Sequence, residues 1–404
     1  MDLDRLKTTA ATDVAGKRVL VRADLNVPVH EGRVGDTTRL TRLVPGLEDL
    51  RRRGAKTIVL SHFGRPAGRD AAFTLKPVAE ALGRLLGVPV VFVDDCVGAA
   101  AERAVAALKP GDIAVLENVR FHAGEEKNDP AFAAALARLG DLFVNDAFSS
   151  AHRAHASTEG LAHHLPAYAG PLLMEEIGAL RSVLDKPKRP TAAIVGGAKV
   201  STKIPVLTNL LAKVDKLIVG GGMANTFLQA QGVDVGRSLS EPKLHAEVRG
   251  IMTAAKARSC EVILPHDVVV ARELKAGVAT TVVETLKVPA DTTILDVGPK
   301  TVVHFGDILD RCRTLLWNGP LGAFEIEPFG ASTFALARYA AALTKAGRLV
   351  SVAGGGDTVA ALNAAGATGD FTYVSTAGGA FLEWLEGREL PGVAALARGR
   401  TEKR

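Results

Sequence analysis

In the first half of the chain, arginines and histidines recur singly, each a few residues after an apolar run. VRADLNVP (Val21–Pro28) carries Arg22, Asp24 and Asn26. DTTRL (Asp36–Leu40) supplies Arg39, and SHFGRP (Ser61–Pro66) supplies His62 and Arg65. ENVRFHAGEE (Glu117–Glu126) adds Arg120, and NDAFSSAHRAHAS (Asn145–Ser157) adds His152, Arg153 and His155. Guanidinium forks match phosphate and carboxylate oxygens with paired hydrogen bonds. One arginine in such a place is ordinarily a solvated loop residue or the partner of a nearby acid. Several on one rim repel one another unless an anion joins them, and a small, multiply charged acid is the simplest such anion. Alternation places Asp24 and Asn26 on the same side of the exiting chain. There they could orient a ligand hydroxyl, or Asp24 could simply pair with a neighbouring arginine; the residues leave both open.

The second half offers glycine turns instead. GGAKVSTK (Gly196–Lys203) sets Lys199 and Lys203 four residues apart, which is one face of a helix opening after a strand and two glycines. A helix N-terminus favours anions through its free N–H groups and its dipole. The plain alternative is two surface lysines on an amphipathic helix. The string is not GxxxxGK[ST], and no GxGxxG follows the first strand. GGGMANTF (Gly220–Phe227) leaves a flat surface for a planar base. WNGPLGAFE (Trp317–Glu325) contains Asn318 and Glu325, both able to bond ribose hydroxyls. GGGDT (Gly354–Thr358) opens a helix whose N–H groups suit phosphate, with Asp357 placed either to hold magnesium or to act as an N-cap. A further turn, TAGGAF (Thr376–Phe381), precedes the last good helix. Two kinds of anion site on two halves point to phosphate transfer between two bound ligands.

The elements that must position these residues alternate regularly. RVLVRA (Arg18–Ala23), KTIVLS (Lys56–Ser61), VVFV (Val90–Val93), IAVLEN (Ile113–Asn118) and LFVND (Leu142–Asp146) read as strands. Helical stretches such as LKPVAEALGRLL and DPAFAAALARLG lie between them. A second series comprises Thr191–Gly197, Lys216–Gly221, Glu261–Pro265, Thr314–Pro320, Arg348–Gly356 and Tyr373–Thr376. This is the βαβ pattern of parallel sheets covered on both faces. The expected fold is therefore α/β, with two doubly wound, Rossmann-like parallel-sheet domains. Residues 1–169 form the first and 190–388 the second. A linker helix spans 170–189, ending in a Lys/Pro-rich stop, and 389–404 form a C-terminal tail. Open α/β sheets bind ligands beyond the carboxyl ends of their strands, where these motifs fall.

Bulk properties narrow the classes. A chain of 404 residues is long for one core. Its apolar runs are too short or too charged to span a bilayer, and MDLDRLKTT lacks a secretory apolar segment. Cys96, Cys260 and Cys312 are odd in number and far apart, which suits a reducing cytoplasm and neither a disulfide framework nor a metal cluster. The net charge of +5 is diffuse, and only 5% of residues are aromatic, so no nucleic-acid partner and no membrane partner is expected.

Taken together, VRADLNVP, SHFGRP, LENVRFHAGEEKND, NDAFSSAHRAHAS, GGAKVSTKI, GGGMANTF, LWNGPLGAFE, GGGDT and STAGGAFLEWLEGRELPGV resemble the phosphoglycerate kinase family, in that family's order, from about Val19 to Val393. The resemblance implies reversible phosphoryl transfer between 1,3-bisphosphoglycerate and ADP, giving 3-phosphoglycerate and ATP with Mg2+, in a cytoplasmic monomer of glycolysis. It implies that Asp24, Asn26, Arg39, His62, Arg65, Arg120 and Arg153 bind the phosphoglycerate, and that Arg39 also reaches the reacting carboxyl end. Lys199 would follow the transferring group, with Gly355 and Gly378 beside Arg39 and Lys199 as catalytic positions. Gly197, Ala198, Lys203, Gly221, Asn318, Pro320, Glu325, Gly354, Gly355, Gly356, Asp357 and Thr358 would form the nucleotide site, with Asp357 as metal ligand. The tail through ELPGVAAL would return to the first domain, leaving GRTEKR loose. Three positions depart from the family pattern: Phe63 in SHFGRP, Ala377 before the glycine pair, and Glu175 where the linker helix usually has lysine. These bear on hinge behaviour more than on the reaction. A nucleotide-binding protein with little catalysis, or a kinase for another small acid, are the competing classes.

Overall fold

The computed structural model describes residues 3–398; GRTEKR, expected to be loose, lies outside the described residues. The chain divides into two compact units. Among the described residues, one comprises 3–177 and 389–398; the other is Gly178–Arg388.

In the first unit the strands are β1 (Arg18–Arg22), the short hairpin β2 (Val29–His30) and β3 (Arg33–Val34), then β4 (Lys56–Leu60), β5 (Val90–Val93), β6 (Ile113–Leu116), β7 (Leu142–Asn145) and β8 (Ala167–Ala169). Six of them form one sheet, in the order β5-β6-β4-β1-β7-β8, with every pairing parallel. Helices α1 (Thr38–Arg52), α2 (Lys76–Leu86), α3 (Gly98–Ala106) and α4 (Pro130–Ala137) connect them. The strands are nearly continuous apolar runs because the sheet is covered on both faces. Helix α1 buries Leu40, Leu43, Leu47 and Leu50, one stripe at helical spacing, against Val21 and Val59. Helix α4 starts where it does because Pro130 sits in its first turn and the Asp129 carboxylate accepts from Phe132 N at 2.8 Å.

Register fixes the site. Arg22 lies beside Leu60 of β4 and Asn145 of β7, so all three central strands end at one level. The loops carrying Asp24, His62 and Arg153 leave from that edge. Helix α5 (Pro171–Leu184) crosses the division between the units, which falls after Ile177. Its first turn is anchored by the buried Asp146, whose Oδ1 accepts from Leu172 N at 2.7 Å and Leu173 N at 3.1 Å. Glu175 pairs with Arg42 at 3.0 Å. Helix α13 (Pro391–Arg398) lies in the first unit, with Gly392 N donating to the Ala151 carbonyl at 2.9 Å.

The second unit repeats the plan. Its strands are β9 (Thr191–Val195), β10 (Lys216–Val219), β11 (Glu261–Ile263), β12 (Asp267–Ala271), β13 (Thr281–Glu284), β14 (Thr293–Val297), β15 (Thr314–Asn318), β16 (Val350–Gly354) and β17 (Tyr373–Ser375). A parallel sheet has the order β11-β10-β9-β15-β16-β17. Helices α6 (Ile204–Leu210), α7 (Gly221–Ala230), α8 (His245–Ala257), α9 (Pro299–Arg311), α10 (Ala331–Lys345), α11 (Gly356–Ala364) and α12 (Gly379–Leu385) follow in chain order among these strands. The antiparallel sheet β13-β12-β14 and strand β8 are additions to what the sequence pattern predicts. Val268, Val270, Leu295 and Val297 of that small sheet are buried, whereas β13 is a largely exposed edge.

Strands β9 and β15 end side by side, and the glycines that follow touch. A Cβ on Gly196 would lie 1.9 Å from the Pro320 carbonyl oxygen. One on Gly319, whose φ is +104°, would lie 2.1 Å from the Gly196 oxygen. Both obstacles are backbone, so no rotamer change relieves them. Gly196→Ala is expected to lower unfolding free energy by about 3 kcal/mol or more, or to prevent folding. Gly250→Ala, in the interior of α8 with open space around it, is expected to be neutral or slightly stabilising. Urea denaturation of the two variants measures the difference.

Candidate functional site

At the carboxyl edge of the first sheet, Asp24 is the hub. Its Oδ2 accepts from Arg39 Nη1 at 3.0 Å and from the Ser149 hydroxyl at 2.6 Å, and its Oδ1 accepts from Asn26 N at 3.0 Å. Burial alone would raise the Asp24 carboxyl, but Arg39 and the Ser149 hydroxyl outweigh it and hold the group below the usual range. Of the two roles open to Asp24, the structure displays the arginine pairing. Asn26 does not stand beside it as a parallel acceptor: its side-chain oxygen accepts from Gly64 N at 3.0 Å and ties the β1 loop to the β4 loop. Arg39 Nη1 also donates to the Asn26 carbonyl at 3.0 Å.

Arg120 donates to the Gly64 carbonyl at 2.6 Å, and its Nε faces Glu126 at 3.0 Å. Burial lowers its pKa, Glu126 opposes that, and Arg153 and Arg65 lower it further, so three guanidinium groups lie within electrostatic reach of one another. Arg65 and Arg153 are exposed, and Arg153 Nε lies 3.2 Å from His152 Nε2. His62 is not one of the cations. Burial, then the neighbouring Arg22, push its pKa down to about 3. His155 is likewise lowered to about 4 by burial and by Arg120. Neither His62 nor His155 therefore adds to the positive charge that the arginines bring to the basket.

In the second unit, Lys199 and Lys203 do not share a helix face. A short 3-10 turn, Val200–Thr202, separates them; Lys199 precedes it and Lys203 precedes α6. An α-helix running on from Ala198 would need Pro205 to donate to Ser201, and proline has no N–H. Lys199 is exposed. Lys203 donates to the Asn318 side-chain oxygen at 2.5 Å, and the Asn318 amide donates to the Gly354 carbonyl at 2.7 Å. Asn318 is buried and its carboxamide is spent inside the protein, where the sequence suggests a ribose ligand. Burial lowers the Lys203 pKa, with Asp357 and Glu386 acting against it. Gly319 N donates to the Thr358 hydroxyl at 2.7 Å, which joins the β15 and β16 loops.

The glycine turns are held by contact with one another. Cβ atoms on Gly221, at φ +68°, and on Gly222 would come within 2.7 Å of the Gly197 and Ala198 carbonyl oxygens. Gly355, at φ +98°, caps α11, so Asp357 is not the N-cap; it sits exposed in the helix's first turn beside the exposed Gly356. Gly354 lies over the Phe381 ring, and Gly378, at φ +57°, caps α12 in open space. Beside these turns opens a cavity of about 340 Å³, bordered by Gly197, Ala198, Gly221, Pro320, Glu325 and Asp357. Its far wall is apolar: Leu239, Val268, Leu274, Ile294 and Leu321. That size and lining suit a base and sugar with a charged tail at the mouth.

The sequence gives no sign of the apolar wall, to which the unforeseen small sheet contributes Val268 and Ile294 and the neighbouring loops contribute Leu239, Leu274 and Leu321. Nor does it single out Asp296, which lines the same cavity and whose carboxyl is pushed up to about 7 by burial. Among the described residues, one further group of potential metal ligands is Asp95, Cys96 and His122 in the first unit. There His122 Nε2 and Asp95 Oδ1 already bond at 2.7 Å, and burial pushes the Cys96 thiol well up. No described helix is long and apolar enough to cross a membrane.

A family model described as phosphoglycerate kinase matches residues 9–388. The phosphoglycerate kinase of Rhizorhabdus wittichii is 63% identical over 385 residues, which is 95% of this chain and 97% of that one. That of Sinorhizobium fredii is 61% identical over 386 residues, with the same shares covered. Among solved structures, phosphoglycerate kinase from Coxiella burnetii superposes with a TM-score of 0.91 at 42% identity, covering 98% of this chain and all of that one. The enzyme from Pyrococcus horikoshii gives 0.78 at 30% identity, covering 97% and 98%. On the strength of these matches across both units, the chain belongs to the phosphoglycerate kinase family.

Proposed function

We infer that the chain catalyses phosphoryl transfer between 1,3-bisphosphoglycerate and ADP, yielding 3-phosphoglycerate and ATP. The first unit would hold the phosphoglycerate through Asp24, Asn26, Arg39, His62, Arg65, Arg120 and Arg153. The second would hold the nucleotide on Gly197, Ala198, Gly221, Pro320, Glu325 and Gly354–Thr358, with Lys203 and Asn318 bracing the cradle. One observation carries this reading: Arg65 and Arg153 lie close enough to Arg120 to depress it, yet neither has a carboxylate partner among the described residues. Such a cluster is stable with a phosphate dianion on it.

The donor is an acyl phosphate, whose carboxylate leaves without a proton. The protein's task is to align attacking and leaving oxygens and to neutralise the equatorial oxygens in flight. Alignment alone is worth about 7–11 kcal/mol of barrier. Arg39 would serve the carboxyl end and Lys199 the moving phosphoryl, with the Gly355 and Gly378 turns offering N–H groups. Because the two ligands rest on different units, residues 1–169 and 190–388 must bring them into line during turnover, with residues 170–189 as hinge. Closure also keeps water from the acyl phosphate.

Asp357 fits a magnesium ligand: it is an exposed hard-oxygen donor with no hydrogen bond of its own among the described residues, and magnesium takes one or two carboxylates plus phosphates. The ion would neutralise nucleotide phosphate charge. A cytoplasmic monomer is the proposed state of the enzyme.

A coupled assay for ATP from ADP and 1,3-bisphosphoglycerate tests the activity; an inactive protein that still binds nucleotide would refute it. Lys199→Ala is expected to lower kcat by about a hundredfold or more while 3-phosphoglycerate affinity stays within about twofold. Arg65→Ala is expected to weaken 3-phosphoglycerate binding by about tenfold or more in calorimetry and to leave ADP binding unchanged. The reverse pattern would place the ligands on the wrong units.

A further inference from the structure

One arginine of the first unit lies beneath the rim: Arg22 is 1% exposed and occupies the end of β1. Its Nε donates to the Ser157 hydroxyl at 2.8 Å, its Nη1 to the Ala23 carbonyl at 2.5 Å, and its Nη2 lies 3.4 Å from the Ser150 hydroxyl and 3.0 Å from His62 Nδ1. The Ser157 hydroxyl in turn donates to Glu125 Oε1 at 2.6 Å, and Ser157 N donates to Oε2 at 2.9 Å. Glu125 is fully buried. A buried carboxylate thus fixes a serine, the serine fixes the guanidinium, and the guanidinium meets the histidine ring.

We propose that Arg22 is a positioning residue that locks His62 as a neutral imidazole carrying its proton on Nε2, so that His62 meets the phosphoglycerate as a directed hydrogen-bond donor and not as a cation. The inference rests on the reading of this rim as the phosphoglycerate site. The chemistry leaves little choice. A guanidinium has five N–H donors and no acceptor, and it stays protonated. The contact at Nδ1 therefore requires a lone pair there, and a neutral imidazole with a lone pair on one nitrogen carries its proton on the other. A protonated ring has no acceptor and would turn an N–H against Arg22.

The remaining groups around the ring agree. Besides burial, Arg22, Arg120 and His155 disfavour a charge on His62, and Asp24 alone favours it. Protonation is thereby displaced far below neutrality, and the donor at Nε2 does not change across the working range. The arginines supply the basket's charge, and His62 supplies direction.

The test is nitrogen-detected NMR of the full chain with labelled histidine, which distinguishes the two tautomers and the cation. His62 is expected as the Nε2–H form alone, without titrating, from about pH 8 to about pH 5.5. A predominant Nδ1–H form, or a midpoint within that range, overturns the proposal. Sulfate, a dianion with no protonation step in this range, serves as the anion probe. It is expected to shift the His62 signals, with an affinity that is flat in pH. A His62 with the stated tautomer but blind to sulfate and to 3-phosphoglycerate refutes the site reading, while a sulfate-sensitive His62 of the other tautomer refutes the role of Arg22.

In Arg22→Met the lock is gone. The His62 midpoint should climb towards the ordinary value, and sulfate should then bind several-fold more tightly as pH falls and the ring charges. If Arg22 only balances Glu125, the variant loses stability while His62 keeps its tautomer and its pH-independence. Should the variant not fold, the spectrum of the unaltered protein still decides.

Discussion

Every strand in the two six-stranded sheets runs in the same direction as its neighbours, so all their carboxyl ends lie along one edge of each sheet. The sites depend on this constraint. Arg22, Leu60 and Asn145 stand level in adjacent strands, and Val195 stands level with Asn318. Loops far apart in sequence are therefore delivered to one place by strand register. Loop-to-loop ties then refine the arrangement: Asn26 to Gly64, Arg120 to Gly64, and Gly319 to Thr358.

On the function proposed above, the two units would answer the same problem, holding phosphate, by opposite means. The first uses side-chain cations whose mutual repulsion is contained by a few acids, Asp24 and Glu126 at the rim and Glu125 below. Such a site is charged before its ligand arrives, which favours rapid capture of an anion. The second uses backbone. Its turns pack so closely that side chains are excluded, and the cavity beside them is largely apolar, with Glu325 and Asp357 on its border. A nucleotide brings a large apolar base, so shape and desolvation serve it better than charge.

Much of this was legible in the sequence, because β-branched runs at regular intervals specify parallel strands and because arginine and glycine mark strand ends plainly. The strands from β1 to β17 that build both main sheets are readable, apart from β8, whose Ala-Tyr-Ala carries no β-branched residue. The small antiparallel sheet was missed because its runs, such as Thr281–Glu284, lie inside what looks like a connection. Spacing by four suggests one helix face for Lys199 and Lys203; Pro205 decides otherwise. The motif around Asn318 does not reveal that its side chain bonds Lys203 and the Gly354 carbonyl, because those partners lie far off in the sequence. The charge state of His62 depends on burial and on Arg22 beneath it, and no local pattern reveals which side chain lies beneath.

The contact between Gly196 and Gly319 also constrains how this protein can drift over evolutionary time. Where a glycine faces a side chain, as Gly354 faces the Phe381 ring, a second substitution that shrinks the neighbour can open room for the first. The walls of Gly196 and Gly319 are carbonyl groups, which every residue type carries. No compensating substitution exists, so these two positions have no neutral path away from glycine, while the apolar cavity wall, made only of side chains, remains free to be rebuilt for a different base.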